Sequence, residues 1–120
     1  MARRSSMKLV LFSSTSFGER VLDLALGTPG VEVVGLVTTR ETISISYRPT
    51  GVKIARHFDF NSICRQRQIP IKVVDQSMTE PDLLSAIQKW APSACLAAGW
   101  YYMIPKKIRD LAPCFGLHAS

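Results

Sequence analysis

Two residues near the end of the chain, His118 and Ser120, carry the most chemically suggestive side chains. An imidazole can take or give a proton near neutral pH, and it can donate a hydrogen bond to a developing oxyanion. Upstream lies Gly99 followed by Trp100-Tyr101-Tyr102-Met103-Ile104-Pro105, an aromatic loop suited to forming the wall of a pocket. From spacing alone, a His at a strand end is more often a satisfied or solvated side chain than a catalyst, and an aromatic cluster more often packing than a ligand wall. The other chemistries have no footing. The three cysteines, Cys64, Cys95 and Cys114, are far apart and form no Cys-x-x-Cys pair, so no metal site is expected. No Ser-His-Asp arrangement and no pair of catalytic carboxylates is evident.

The elements that must position these residues follow from apolar patterning. Ala94-Cys95-Leu96-Ala97-Ala98 reads as a strand, Lys106 to Leu111 as a short basic helix, and the segment through Phe115-Gly116-Leu117 as a second strand. If both strands are parallel and central, their carboxyl ends carry Gly99-Trp100 and His118-Ala119-Ser120, and ligands of open α/β sheets bind at such ends. The chain opens similarly. Lys8 to Phe12 is a continuous apolar run, as in a strand buried on both faces. Ser16 and Glu19 have capping-box spacing, and Val21, Leu22, Ala25 and Leu26 repeat at helical spacing. Gly27 and Pro29-Gly30 end that helix, and Val31 to Val37 reads as the next strand. The result is a βαβ unit. Its first turn lacks Gly-x-Gly-x-x-Gly, so simple capping is the preferred reading there over nucleotide phosphate binding.

Thr38 to Val52 reads as a long polar loop, with Arg40, Arg48 and Lys53 suited either to phosphate contact or to solvation. Lys53 to Gln68 reads as a helix that Asp59-Phe60-Asn61 could break, with His57 on its surface. Ile69 to Val74 reads as a strand with Pro70 near its start. Thr79 is a candidate cap for a helix whose apolar stripe is Leu83, Leu84, Ile87, Trp90 and Ala91. The expected fold is α/β: a Rossmann-like, doubly wound, mostly parallel sheet of about five strands.

Gly99 onward, with Ile104-Pro105, the short helix and then Leu117-His118-Ala119-Ser120, resembles the folate-dependent formyltransferase family. The usual signature of that family is Asn-x-His-x-Ser-Leu-Leu-Pro. Here His118 and Ser120 match, Gly116 stands at the Asn position, and the chain stops before Leu-Leu-Pro. The resemblance runs from about Met7 to Ser120. The basic, acid-free start, residues 1–6, reads as a flexible tail, and the resemblance implies 7–120 as the N-terminal part of a formyltransferase-like catalytic domain, an incomplete domain inactive by itself. The implied activity is transfer of a formyl group from 10-formyltetrahydrofolate to an amine acceptor of the methionyl-tRNA or amino-sugar type. The implied roles are His118 for oxyanion stabilisation or proton transfer and Tyr101, Tyr102, Met103, Ile104 and Ser120 for folate contact. An Asp further along the family's chain tunes the His. The resemblance also allows the first βα turn to face the acceptor. Gly116 keeps a non-catalytic folate-binding relative open, and a generic Rossmann-like nucleotide-binding module is the other alternative.

The 120 residues are 47% hydrophobic, enough for a core and against disorder. Net charge is +6, which favours polyanionic partners such as tRNA or polyglutamylated folate. No apolar run approaches the roughly 18 residues of a membrane helix, so no membrane partner is expected. An odd number of dispersed cysteines fits a reducing compartment, and the expected location is cytoplasmic. The sequence carries no signal of oligomeric state.

Overall fold

The computed structural model describes residues 6–45, 48–75 and 77–117. Strand β1 (Met7–Phe12) leads through helix α1 (Ser16–Leu26) into β2 (Val31–Thr39). A hairpin of β3 (Thr42–Ile45) and β4 (Arg48–Lys53) follows, then α2 (Asn61–Arg67) and β5 (Ile71–Val74). Helix α3 (Pro81–Trp90), β6 (Ala94–Ala98), α4 (Lys106–Arg109) and β7 (Cys114–Leu117) complete the order.

Five strands form one parallel sheet in the order β5-β2-β1-β6-β7, the doubly wound arrangement expected. The chain winds outward from β1 to β2 to β5, returns to lay β6 against the free side of β1, and winds outward again to β7. The strand order therefore reverses between β1 and β6, and a crevice is expected at the carboxyl ends of those two strands.

The burial of β1 explains its central place. Val10 and Phe12 face a core built with Val37, Val74, Leu83, Ile87, Cys95 and Ile108, so α3 and α4 cover that side. Leu11 faces the opposite core with Leu22, Leu36, Phe60 and Cys64, covered by α1 and α2. Alternate residues thus serve different faces, which is why the run is apolar throughout. The α3 stripe behaves as read, with Leu83 and Ile87 fully buried and Leu84 and Trp90 packed alongside.

Several local expectations are corrected. The polar stretch after Val37 is not a loop: β2 continues through Thr39, and Thr42 and Ile43 pair antiparallel with Lys53 and Val52. The helix read over Lys53 to Gln68 is confined to Asn61–Arg67. It begins there because the Asp59 carboxylate accepts hydrogen bonds from the Asn61 amide at 2.9 Å and from its side chain at 2.8 Å. His57 is therefore in a non-helical segment. It is half-buried, forms an isolated bridge with Thr15, and its Nε2 lies 2.9 Å from the Thr39 carbonyl. The α1 cap falls on Thr15 rather than Ser16, and neither it nor Glu80, which replaces Thr79 at the start of α3, makes a side-chain capping bond. Pro81 supplies the first helical position of α3 instead.

Candidate functional site

The Ser13-Ser14-Thr15 turn at the end of β1 sits at the strand-order reversal and is tied to three neighbours. The Ser13 amide donates to the Val37 carbonyl at 2.9 Å, and the Ser14 amide donates to the Gly99 carbonyl at 3.0 Å. The Ser14 and Thr39 hydroxyls share a hydrogen bond of 2.7 Å. Two further bonds bring in the segment before α2: Phe58 N–H donates to the Ser14 carbonyl and Ser16 N–H to the Arg56 carbonyl, both at 3.0 Å. The turn, the aromatic loop and residues 55–58 are thereby fixed relative to one another.

Two glycines make this approach possible. Gly99 has φ +64, a left-handed conformation that glycine adopts without steric cost, and a side chain there would collide with Thr15 Oγ1. A side chain at Gly18 would collide with Ser13.

The space enclosed is a cavity of about 510 Å³, within the range of small-molecule sites. The β1–α1 corner contributes Thr15, Ser16, Phe17 and Arg20, and the segment before α2 contributes Ala55 and Arg56. Gly99, Trp100 and Tyr101 form the aromatic wall, and Ala97, Gly116 and Leu117 close it from β6 and β7. Trp100 is held by edge-to-face contacts with Phe12 at 5.6 Å and Tyr102 at 5.9 Å. Thr15 Oγ1 and Trp100 Nε1 are buried without a hydrogen-bond partner.

A second cavity of about 440 Å³ shares Ala97 and Gly116 with the first. Its other lining residues are Met103, Ile104, Arg109, Cys114 and Phe115. The aromatic loop divides the two spaces. Met103 is 91% exposed and Phe115 60%, so this cavity is an open apolar slot. The Arg109 Nε–H donates to the Ile104 carbonyl at 3.0 Å, which anchors the loop end to α4.

The residues singled out by sequence are therefore split. Tyr101 lines the first cavity, and Met103 and Ile104 line the second. Tyr102 lines neither: its ring packs on Trp100, its hydroxyl donates to the Ser44 carbonyl at 3.3 Å, and burial pushes its phenol pKa up. Gly116 stands where the two cavities meet. His118 and Ser120 lie outside the described residues. Thr15, Phe17, Arg20 and Arg56 were not singled out. For Thr15 and Phe17 the position just after the first strand was the available signal; Arg56 had none, because its neighbours are remote in sequence.

The thiols are poor candidates for nucleophiles. Burial pushes Cys64 up to about 11 and Cys95 up to about 12, so both stay protonated at neutral pH. Cys95 and Cys114 are paired residues of β6 and β7, and the Cys114 thiol donates to the Ala112 carbonyl at 3.4 Å. Among the described residues no group of His, Cys, Asp or Glu is arranged to hold a metal ion, and no helix is long and apolar enough to cross a membrane.

Comparison with known proteins finds relatives of similar sequence. Over 116 residues, 95% of the chain, it is 26% identical to methionyl-tRNA formyltransferase of Helicobacter pylori. Over the same length it is 27% identical to methionyl-tRNA formyltransferase of Campylobacter curvus. The chain spans 36% of the length of each of these relatives. No protein-family model matches it. The five-stranded parallel sheet with helices on both faces is a Rossmann-like α/β fold, and the chain is similar to methionyl-tRNA formyltransferases over 95% of its length.

Proposed function

We propose that the protein containing this chain transfers a formyl group from 10-formyltetrahydrofolate to an amine acceptor, of the methionyl-tRNA or amino-sugar type. The observation that carries this reading is the paired cavity at the end of β6 and β7, in a chain similar to methionyl-tRNA formyltransferases. The donor supplies an activated formyl carbon, and the acceptor nitrogen must reach it. Gly116 and Ala97, common to both spaces, mark where the two substrates would meet.

The second cavity fits the flat, partly apolar ring of a folate. Met103, Ile104 and Phe115 give an exposed apolar slot, and the volume of about 440 Å³ is in the cofactor range. In this reading Met103 and Ile104 contact the ring, Tyr101 lines the adjoining acceptor cavity, Tyr102 supports the loop through Trp100, and Ser120 begins the next folate-contacting segment. His118 follows Leu117, which lines the first cavity. It holds the oxyanion that develops on the formyl oxygen or takes the proton that leaves the acceptor amine. The three free thiols support the cytoplasmic placement.

The test uses the full-length protein with formyl-tetrahydrofolate and both acceptor types. Turnover with one of them is expected, and His118→Ala should reduce it by about 10²-fold or more. No turnover with either acceptor would sink the proposal.

A second reading rests on Gly116, which puts no side-chain donor at the junction of the cavities. In that reading the protein binds folate without formyl transfer. Calorimetric binding of a stable folate analogue, together with no turnover, is its signature.

A further inference from the structure

Cys95 and Cys114 are directly paired residues of the neighbouring parallel strands β6 and β7. Side chains of a registered pair project to the same face of a sheet. Here both enter the core under α3 and α4, Cys95 as a buried member and Cys114 packed against it. Paired strands lie about 4.7–4.9 Å apart, within the span of about 4.4–6.8 Å usual between the α-carbons of a disulfide. The two thiols also feel each other. After burial, Cys114 is what raises the Cys95 pKa; burial raises Cys114 as well, while Cys95 and Arg109 pull it down. Access differs between the two. Cys95 is 0% exposed, whereas Cys114 is partly exposed and lines the open slot with Arg109. Cys64 provides the contrast, a free thiol buried in the core on the opposite face of the sheet.

We propose that Cys95 and Cys114 form a reversible dithiol–disulfide couple, opened and closed by exchange with a low-molecular-weight disulfide that enters the second cavity. Cys114 reacts first, because it alone of the two reaches the slot. Its thiolate attacks one sulfur of the incoming disulfide, that S–S bond breaks, and the departing thiolate takes up the proton Cys114 has lost. Cys95 then loses its proton and attacks the Cys114 sulfur of the mixed disulfide. The Cys95–Cys114 bond forms, the second small thiol leaves with that proton, and the pair has passed two electrons to the small disulfide. Burial makes either thiol slow by itself. Adjacency offsets this in the second step, where the attack is intramolecular. The charge on Cys114 that opposes a Cys95 thiolate is also gone once Cys114 is in the mixed disulfide. Closing the bond turns Cys114 from the slot toward Cys95 and ends its hydrogen bond to the Ala112 carbonyl. It also joins the two ends of the segment that holds the aromatic loop and α4. In a reducing compartment such a pair is transient and redox-sensing rather than a permanent brace. The couple depends on the strand register and the open slot, not on the formyl-transfer reading.

The test is a map of thiol states. The full-length protein is incubated under native conditions with oxidised glutathione, quenched in acid, unfolded, alkylated and digested for mass spectrometry. Alkylatable thiol at Cys95 and Cys114 should fall together by about tenfold or more, with the appearance of a peptide linked through the two, and dithiothreitol should restore both. Cys64 should stay alkylatable throughout. Cys114→Ala should leave Cys95 reduced, because the entry thiol is gone. Cys95→Ala should halt the exchange at a mixed disulfide on Cys114. The wild-type map decides the matter even where Cys95→Ala disturbs the core. Absence of the linked peptide, linkage that forms only in urea, or oxidation of Cys64 to the same extent as the pair overturns the inference. A mixed disulfide that persists on Cys114 of the wild-type protein overturns it as well.

Discussion

Strands β1 and β7 are both short apolar runs in one parallel sheet, yet they meet opposite fates. Val10, Leu11 and Phe12 are at most 1% exposed, whereas Phe115 and Leu117 in β7 are 60% and 43% exposed. β1 has a strand on each side and helices over both faces; among the described residues β7 has a single strand neighbour, β6. Composition is nearly the same, so position in the winding order decides burial. The consequence is a division of labour. The centre of the sheet holds the fold, and the exposed margin at β7, with the aromatic loop, lines the two cavities.

That contrast is tested most strongly by truncating one phenylalanine in each strand. Phe12→Ala leaves a void in a core that includes Val37, Leu83, Ile87 and Trp100, and should cost about 3–5 kcal/mol. Phe115→Ala removes a side chain that is mostly in solvent and should change stability by less than about 0.5 kcal/mol. Urea denaturation of both variants measures this. Comparable losses would mean that β7 is as much a part of the core as β1.

The margin can instead be probed through chemistry. Gly116 sits where the two cavities adjoin and offers no hydrogen bond from a side chain. If formyl transfer takes place there, Gly116→Asn adds a donor toward the developing oxyanion. One such donor is typically worth about 2.7–4 kcal/mol of transition-state stabilisation, or about 10²–10³ in kcat. Steady-state turnover of the full-length variant checks this. A kcat unchanged or lowered by Gly116→Asn would show that the oxyanion is already served by another group, and that β7 contributes shape rather than a donor.

The central architecture was legible in the sequence because its signals are local. Lys8 to Phe12, Val31 to Val37 and Ala94 to Ala98 are apolar on both faces, and the α3 stripe has helical spacing. Composition left the aromatic loop open between packing and a pocket wall, and it does both: Trp100 packs on Phe12 and Tyr102 while Trp100 and Tyr101 line the first cavity. The β3–β4 hairpin was not legible, because Thr42 to Lys53 is rich in polar residues and, among the described residues, its two strands form a sheet separate from the main one. Residues 54–60 were misread as helix, because Ile54 and Phe58 have plausible helical spacing. What holds that segment extended is tertiary: the hydrogen bonds of Arg56 and Phe58 to the first turn and of His57 to β2. The juxtaposition of Arg20 and Arg56 was hidden for the same reason, since it exists only after that segment docks. Local patterning reports elements, whereas a site assembled across 36 positions depends on docking that no window of sequence contains.

The smallest effect expected concerns this docked segment, at the Asp59 carboxylate. Helix α2 has only seven residues and starts from a turn closed by Asp59 on Asn61. The Asn61 amide and then its side chain hold the Asp59 carboxyl below its usual range, against a small opposing effect of burial. Asp59→Ala should therefore cost about 0.5–1 kcal/mol at pH 7, in the range of a lost helix-start hydrogen bond at an exposed site. The sign with pH follows from the lowered value. A carboxylate with a depressed folded pKa stabilises the fold above its unfolded pKa of about 3.9, and that contribution is lost as pH falls through the folded value. The gap between wild type and Asp59→Ala should thus be constant from neutral pH to about pH 5 and narrow below about pH 4. Denaturation midpoints of the two proteins across that interval measure it. A gap that widens on acidification would mean that the Asp59–Asn61 turn does not start α2, and that Phe60, fully buried against the α1 side of the sheet, sets its position alone.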